Sequence, residues 1–339
     1  MSVMRAMVLT NPASIDTSPL ALRELPAPEP GPGEVLVRVE ACGICRTDLH
    51  VVEGELVSHR PNVIPGHQIV GLVQECGPGA VRFKRGDRVG IAWLRSTCGQ
   101  CRYCRGGNEN LCPSAKFTGY DENGGYAEYA LVREDFAYAL PAALDAIAAA
   151  PLLCAGIIGY RALRRAEVKP GCRLGLFGFG SSASIVIQVA RHWGCAVYVM
   201  TRDERHQSLA REMGADWVGG ADAKPPELLD SAILFAPVGD LVPPALETLD
   251  WGGTLALAGI YLTDVPRLNY ERHLFHEKNL RSVTANTRKD GEELLKIAAE
   301  VPLRPQTTSF ALTDANRALQ LLKHDAIRGS GVLVLKEFS

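Results

Sequence analysis

Between Ala41 and Gln68 the chain reads A-C-G-I-C-R-T-D-L-H and, after a short gap, P-G-H-Q. That stretch supplies a thiol (Cys45), a hydroxyl (Thr47), a carboxylate (Asp48) and two imidazoles (His50, His67). Thiolate and imidazole bind zinc, a carboxylate orients a ligating ring, and a hydroxyl with a second imidazole carries a proton away. Taken alone, a Cys–His pair reads as a buried thiol beside a satisfied histidine, and Cys42 with Cys45 has the C-x-x-C spacing of a redox pair. The β-rich surroundings speak against the redox reading, and the company of Thr47, Asp48 and His50 speaks for metal. Cys154, in P-L-L-C-A-G, is available as a third ligand. Two cysteines and one histidine would leave a fourth position open, as a catalytic zinc requires.

A second cluster, Cys98, Cys101, Cys104 and Cys112, follows C-x2-C-x2-C-x7-C. Four thiolates bind zinc tetrahedrally, and close spacing lets one tight loop supply them at small closure cost. No position is left open, so a metal there is structural. An iron–sulfur cluster or free thiols are the alternatives; the wide last gap and the missing C-P run count against the cluster.

Gly178-Phe179-Gly180-Ser181-Ser182-Ala183 is a G-x-G-x-x-A loop between an apolar strand and a helical run. The first glycine permits the tight turn and the second lets a pyrophosphate approach the backbone. Ala183 lets helix and strand pack closely, and the helix N-terminus offers its amides to phosphate. Some twenty residues on, where an NAD-binding acid is expected, the sequence is V-M-T-R-D-E-R, with Thr201 at the acid's position and Arg202 and Arg205 nearby. Guanidinium suits a 2′-phosphate, which favours NADP(H) over NAD(H). The alternative is a solvated arginine with Asp203 as the acid in a shifted register.

The elements that must position these groups come in two styles. Up to about residue 40, short strands (Ala6–Leu9, Val35–Glu40) are broken by proline and glycine, and strand-like runs continue at Ile69–Gln74 and Asp87–Ala92, predicting a β-rich, barrel-like first domain. An alanine-rich helical run follows at Ala142–Ala150. Strands at Arg173–Phe177, Ala196–Met200, Ile233–Phe235, Thr254–Leu257 and Leu280–Val283 then alternate with helices at Ser182–Trp193 and Glu204–Met213. That alternation predicts a doubly wound parallel sheet, an α/β fold. From about Arg288 the tail reads helix–loop–helix and closes on a strand, Val332–Leu335. The 339 residues suffice for two domains, and 47% hydrophobic and 22% charged residues with net charge −2 give no basic tract for nucleic acid. Apolar runs look shorter than a membrane span and no leader pattern opens the chain, so no membrane partner and a cytoplasmic address are expected.

In this order the motifs resemble the zinc-containing alcohol dehydrogenases of the medium-chain dehydrogenase/reductase superfamily. The resemblance covers essentially the whole chain: C-G-x-C-x-[ST]-D-x-H at Cys42–His50, Gly66-His67-Gln68 with Gly71, Gly77 and Ala80, the four-cysteine lobe, G-G-Y-A-E-Y at Gly124–Tyr129, P-L-L-C-A-G and the glycine loop. It implies a GroES-like catalytic domain over 1–152 with a structural zinc lobe at 95–113, a Rossmann cofactor domain over 153–288, and a return to the catalytic domain over 289–339, with the active site in the cleft. It implies catalytic zinc on Cys45, His67 and Cys154, two zinc ions per chain, Asp48 steadying His67, and Thr47 passing the substrate proton through the cofactor ribose toward His50. A homo-oligomer, dimer or tetramer, is implied as well.

Three departures stand out. Gln68 replaces the family's acid and removes a charge near the zinc. Leu56 falls where relatives acting on small alcohols often carry tryptophan, while the pocket residue Trp93 remains, hinting at a roomier pocket. Ser330 stands where many relatives place an arginine. The expected activity is reversible hydride transfer between an alcohol carbon and the nicotinamide. Rival readings are a polyol, aromatic allylic alcohol or amino-alcohol substrate, and a non-catalytic NADPH-binding protein.

Overall fold

The computed structural model describes residues 3–301 and 303–335. The chain divides into two compact units: residues up to Cys154 with Ala285–Glu300 and the segment from Arg304, and Ala155–Thr284 with Val301–Leu303.

The first unit is built on a sheet in the order Thr307–Ala311, Ser330–Val334, Glu34–Ile44, Gln68–Cys76, Arg88–Ile91, Ala137–Ala139, with Tyr129–Arg133 also pairing Glu34–Ile44. Its central strand, E-V-L-V-R-V-E-A-C-G-I, is almost wholly buried and is apolar apart from Glu34, Arg38 and Glu40. The C-terminal segment reaches this sheet through Ser330–Val334, antiparallel to Ala41–Ile44. The strand Thr307–Ala311 beside it escapes sequence reading: T-T-S-F-A is a half-exposed edge strand with no buried alternation.

The second unit holds six parallel strands ordered Trp217–Gly219, Ala196–Met200, Arg173–Phe177, Leu229–Leu234, Leu249–Leu257, Asn279–Ser282. In chain order that is 3-2-1-4-5-6, the doubly wound arrangement whose strand order reverses beside Arg173–Phe177. This strand and Ala196–Met200 have the bounds their apolar runs predict.

Two features differ from expectation. Arg46–Glu53 is a helix inside the β-rich unit. The run from Ala146 continues helical to Arg165, long and apolar enough by length and composition to cross a membrane, contrary to the sequence expectation; 67% of its apolar window is buried in the structure, as in a core helix. Pro151, Gly156 and Gly159 disguise it in the sequence, since each argues for a break.

Candidate active site

Helix Arg46–Glu53 begins at the candidate ligand Cys45. Cys45 is its N-cap residue, and the Asp48 carboxylate reaches back to accept the Cys45 backbone N–H through Oδ2 at 2.9 Å. The other carboxylate oxygen, Oδ1, lies 3.0 Å from His67 Nδ1. One buried acid thus caps the helix and fixes the imidazole, leaving Nε2 to face the sulfurs. His67 enters the site from the start of strand Gln68–Cys76, after Gly66 at φ +95. A Cβ on Gly66 would come within 2.4 Å of the Tyr126 ring, so only glycine admits both the turn and the packing.

Cys154 arrives by another route. Helix Ala146–Pro151 is capped by Asp145, whose Oδ1 accepts from Ile147 and Ala148. Pro151 lies inside it and lacks the N–H that would continue the ladder, and a wide π-turn over Leu152–Gly156 follows, holding Cys154.

His67 Nε2 lies 3.4 Å from Cys45 Sγ and 3.3 Å from Cys154 Sγ, and all three ligand atoms fall within 4.8 Å of one another. A tetrahedral zinc with the usual bond lengths sets nitrogen and sulfur roughly 3.6 Å apart, so the set fits the ion with small adjustments. The protonation balance agrees. A hydrogen bond with Cys154 holds the Cys45 thiol well below its ordinary range, against burial and with help from His67 and Thr47. Burial disfavours a charged His67, but the Asp48 and Cys45 charges and their hydrogen bonds outweigh it and lift the ring to about 10. The lowered thiol favours the thiolate form that a metal needs, and a metal binding at Nε2 would displace the proton that the raised ring favours. Cys42, fully buried, donates weakly to the Gly43 carbonyl at 3.6 Å, and burial pushes its thiol far up. It belongs to the core.

Of the other predicted residues, Thr47 is buried beside Cys45, while His50 Nδ1 pairs with the Glu55 carboxylate, a partner that sequence inspection missed. Trp93 meets His67 edge-on at 4.9 Å and stacks on Phe117 at 4.9 Å with the planes 19° apart; Tyr120 stands 5.9 Å away. Phe117 and Tyr120 lie beyond any local motif and carried no signal. Leu56 packs half-buried against the core. Gln68 is 2% exposed, and among the described residues nothing accepts from its Nε2.

The four-cysteine lobe forms a second cluster. Sulfur separations are 3.5 Å for Cys98–Cys112, 3.5 Å for Cys101–Cys104 and 3.9 Å for Cys98–Cys104, bracketing the roughly 3.8 Å edge of a tetrahedral zinc–thiolate site. Backbone amides of Gln100 and Cys101 aim at Cys98 Sγ and bring its thiol down to about 6. Glu109, in the same lobe, grips Arg288 of the returning segment at 2.7 Å, and also accepts the Arg288 backbone N–H at 2.8 Å.

In the second unit, Gly178 at φ +88 ends the first strand, and a Cβ there would press on Ala236, just past the strand on the other side of the reversal. Gly180 is the N-cap of helix Ser181–His192 and carries no side chain to cap it, so the backbone is open to close approach at a helix N-terminus, the end that suits an anion. Ser182 is half-buried, and Ala183 is fully buried where helix meets sheet. Thr201 is buried and Arg202 exposed at the second strand's end. Asp203 is engaged elsewhere: it caps helix Glu204–Glu212 and pairs with Arg205 at 2.9 Å.

The chain combines a largely antiparallel β unit bearing a thiol–imidazole cluster and a four-thiol cluster with a doubly wound dinucleotide-type unit, the make-up of a metal-dependent dehydrogenase. The family model described as alcohol dehydrogenase GroES-like domain matches residues 31–142, and that described as zinc-binding dehydrogenase matches 183–300. The chain is 53% identical over 339 residues to a probable alcohol dehydrogenase AdhA of Mycobacterium tuberculosis, covering 98% of each. Among solved structures, it is similar to CAD from Helicobacter pylori complexed with NADP(H), at 25% identity, 99% coverage of both and TM-score 0.88. Acetophenone reductase from Geotrichum candidum in complex with NAD is similar at 26% identity, covering 99% and 98%, with TM-score 0.87. The chain belongs to the zinc-binding alcohol dehydrogenases of the medium-chain dehydrogenase/reductase superfamily. It is an oxidoreductase that uses zinc and a nicotinamide cofactor on a small alcohol.

Proposed function

We propose that this enzyme interconverts alcohols with aldehydes or ketones, prefers NADP(H), and holds its catalytic zinc on Cys45, His67 and Cys154. The observation that carries this reading is the three-ligand cluster itself, with a fourth position open and Asp48 behind the imidazole. When bound, zinc supplies a Lewis acid for the alkoxide or carbonyl and the nicotinamide supplies or receives the hydride. The chain's own residues do the rest. Asp48 keeps Nε2 of His67 available, and Thr47 Oγ1 takes the substrate hydroxyl's proton and hands it on toward His50, whose other partner is Glu55. Trp93, with Phe117 and Tyr120, forms an apolar wall beside His67 that excludes water and orients the carbon side of the substrate.

Gly178, Gly180, Ser181, Ser182 and Ala183 hold the pyrophosphate at the helix N-terminus. Preference for NADP(H) rests on Arg202, with Arg205 beside it, and on Asp203 being committed to its helix and to Arg205. A second zinc on Cys98, Cys101, Cys104 and Cys112 serves structure. The aromatic wall also supports a second substrate reading, an aromatic or allylic alcohol, because flat side chains stack where aliphatic ones only fill space. Exposed Trp251, Tyr270 and Phe275, with Trp251 stacked on His276 at 4.6 Å, support a homo-oligomer, dimer or tetramer. Steady-state kinetics with NADPH and NADH across a panel of aliphatic and aromatic alcohols and aldehydes test the proposal. A clear NADH advantage in kcat/KM overturns the cofactor preference, and no turnover with any member overturns the catalytic reading.

A further inference from the structure

Ten cysteines are present and seven sit in the two ligand clusters or, like Cys42, in the core beside one; Cys154 counts among the ligands, which leaves Cys76, Cys172 and Cys195. Cys76 donates to the Phe83 carbonyl at 3.3 Å. Cys172 and Cys195 face each other with their sulfurs 3.7 Å apart. Each immediately precedes a strand of the parallel sheet, and the pairing of Arg173 with Ala196 makes them register partners one step outside it. The Ala196 amide donates to the Cys172 carbonyl at 3.0 Å, so the backbone ladder extends through this pair. Adjacent strands lie about 4.8 Å apart, inside the roughly 4.4–6.8 Å Cα separation that a disulfide spans. The side chains therefore share a face at bridging distance, and only the sulfurs need to turn. Cys172 is half-buried while Cys195 is buried, donating to the Lys169 carbonyl at 3.4 Å. The more open sulfur has the resolving thiol directly behind it.

We propose that Cys172 and Cys195 form a reversible disulfide modification site that clamps the first two strands of the dinucleotide-type sheet at their entry edge. The oxidant is a low-molecular-weight disulfide such as glutathione disulfide. Cys172, as thiolate, attacks one sulfur of it, forming a mixed disulfide and releasing one thiol. Cys195 then gives up its proton and attacks the Cys172 sulfur, forming the internal S–S bond and expelling the second thiol. Two protein thiols are oxidised by two electrons, one small disulfide is reduced, and two protons end on the released thiols. Burial, with the neighbouring Cys195 adding to it, pushes the Cys172 thiol up to about 12. Oxidation is accordingly slow at neutral pH and quickens about tenfold per pH unit on the way up. The clamp closes on strands whose far ends carry Gly178 and Thr201, so the bond stiffens the sheet without touching either.

The test uses the zinc-loaded full chain, incubated with excess glutathione disulfide at mildly alkaline pH, then acid-quenched, alkylated and digested with trypsin. The expected product is the peptide containing Cys172, ending at Arg173, linked to the one starting at His192 and ending at Arg202, lighter by two hydrogens than the separate peptides and split by dithiothreitol. Thermal unfolding of the oxidised chain is expected to rise by about 5–10 °C, and the rise to vanish in both Cys172→Ser and Cys195→Ser. Recovery of both cysteines alkylated, or each carrying its own glutathione, overturns the proposal, as does linkage of either to a different cysteine. Because the peptide readout is made on the unmutated chain, poor folding of a variant cannot decide the result.

Discussion

The two cysteine clusters of the first unit use the same ligand chemistry to opposite ends. The lobe at Cys98–Cys112 draws four sulfurs from one fifteen-residue loop, and those of Cys98, Cys101 and Cys112 accept backbone amides at 3.3, 3.5 and 3.5 Å. The other set draws its three proposed ligands from a helix N-cap, the residue before a strand and a π-turn separated by up to 109 residues, and among the described residues no fourth His, Cys, Asp or Glu joins them. A closed local set needs only the loop to fold; an open, dispersed set needs the whole unit in place before its ligands meet. The difference teaches that dispersion is what keeps a coordination site open, because neighbouring chain in a short loop would fill it.

That contrast can be broken at several points. The largest effect is expected from Cys101→Ser, which removes a ligand that the closed lobe cannot replace: zinc content falls by one ion per chain, and the unfolding midpoint drops more than for any change below, as metal analysis and calorimetry would register. Asp48→Asn keeps the shape of the open site but weakens the hold on His67. Turnover or catalytic zinc affinity should fall roughly 10–100-fold, read by chelator competition, with lobe zinc unchanged. Arg202→Ala should lower kcat/KM with NADPH roughly tenfold, the loss of one exposed charge-assisted phosphate contact, while leaving NADH kinetics nearly untouched.

The smallest effect concerns the tie between lobe and returning segment. Glu109→Gln should cost about 1–2 kcal/mol at neutral pH. Burial alone would raise the Glu109 carboxyl, but its hydrogen bonds to Arg288 win and hold it below the ordinary value of 4.5. A depressed folded value means this stabilisation is complete above about pH 4.5 and is lost as pH falls through the lower, folded one. The variant's acid-unfolding curve should therefore be flatter than that of the parent.

Much of this was readable in the sequence because it is local. Spacing announced the lobe, a glycine loop between an apolar strand and a helix announced the dinucleotide fold, and buried parallel strands appeared as short apolar runs. What stayed hidden is set by tertiary packing. R-T-D-L-H-V-V-E has only two turns and β-branched residues, so its helix depends on the Asp48 cap and its buried face. The π-turn at Cys154 shows only as a proline in an apolar run. The Glu55 partner of His50 and the stack of Phe117 on Trp93 are long-range or surface contacts with no spacing rule behind them.

Cys45 is proposed as a ligand of the open zinc site, so the most direct measurement is metal content, turnover and NADPH binding in Cys45→Ser. The expected result is one zinc per chain instead of two, turnover abolished, and NADPH binding unchanged by fluorescence titration. Two zinc ions retained together with parental turnover would contradict it.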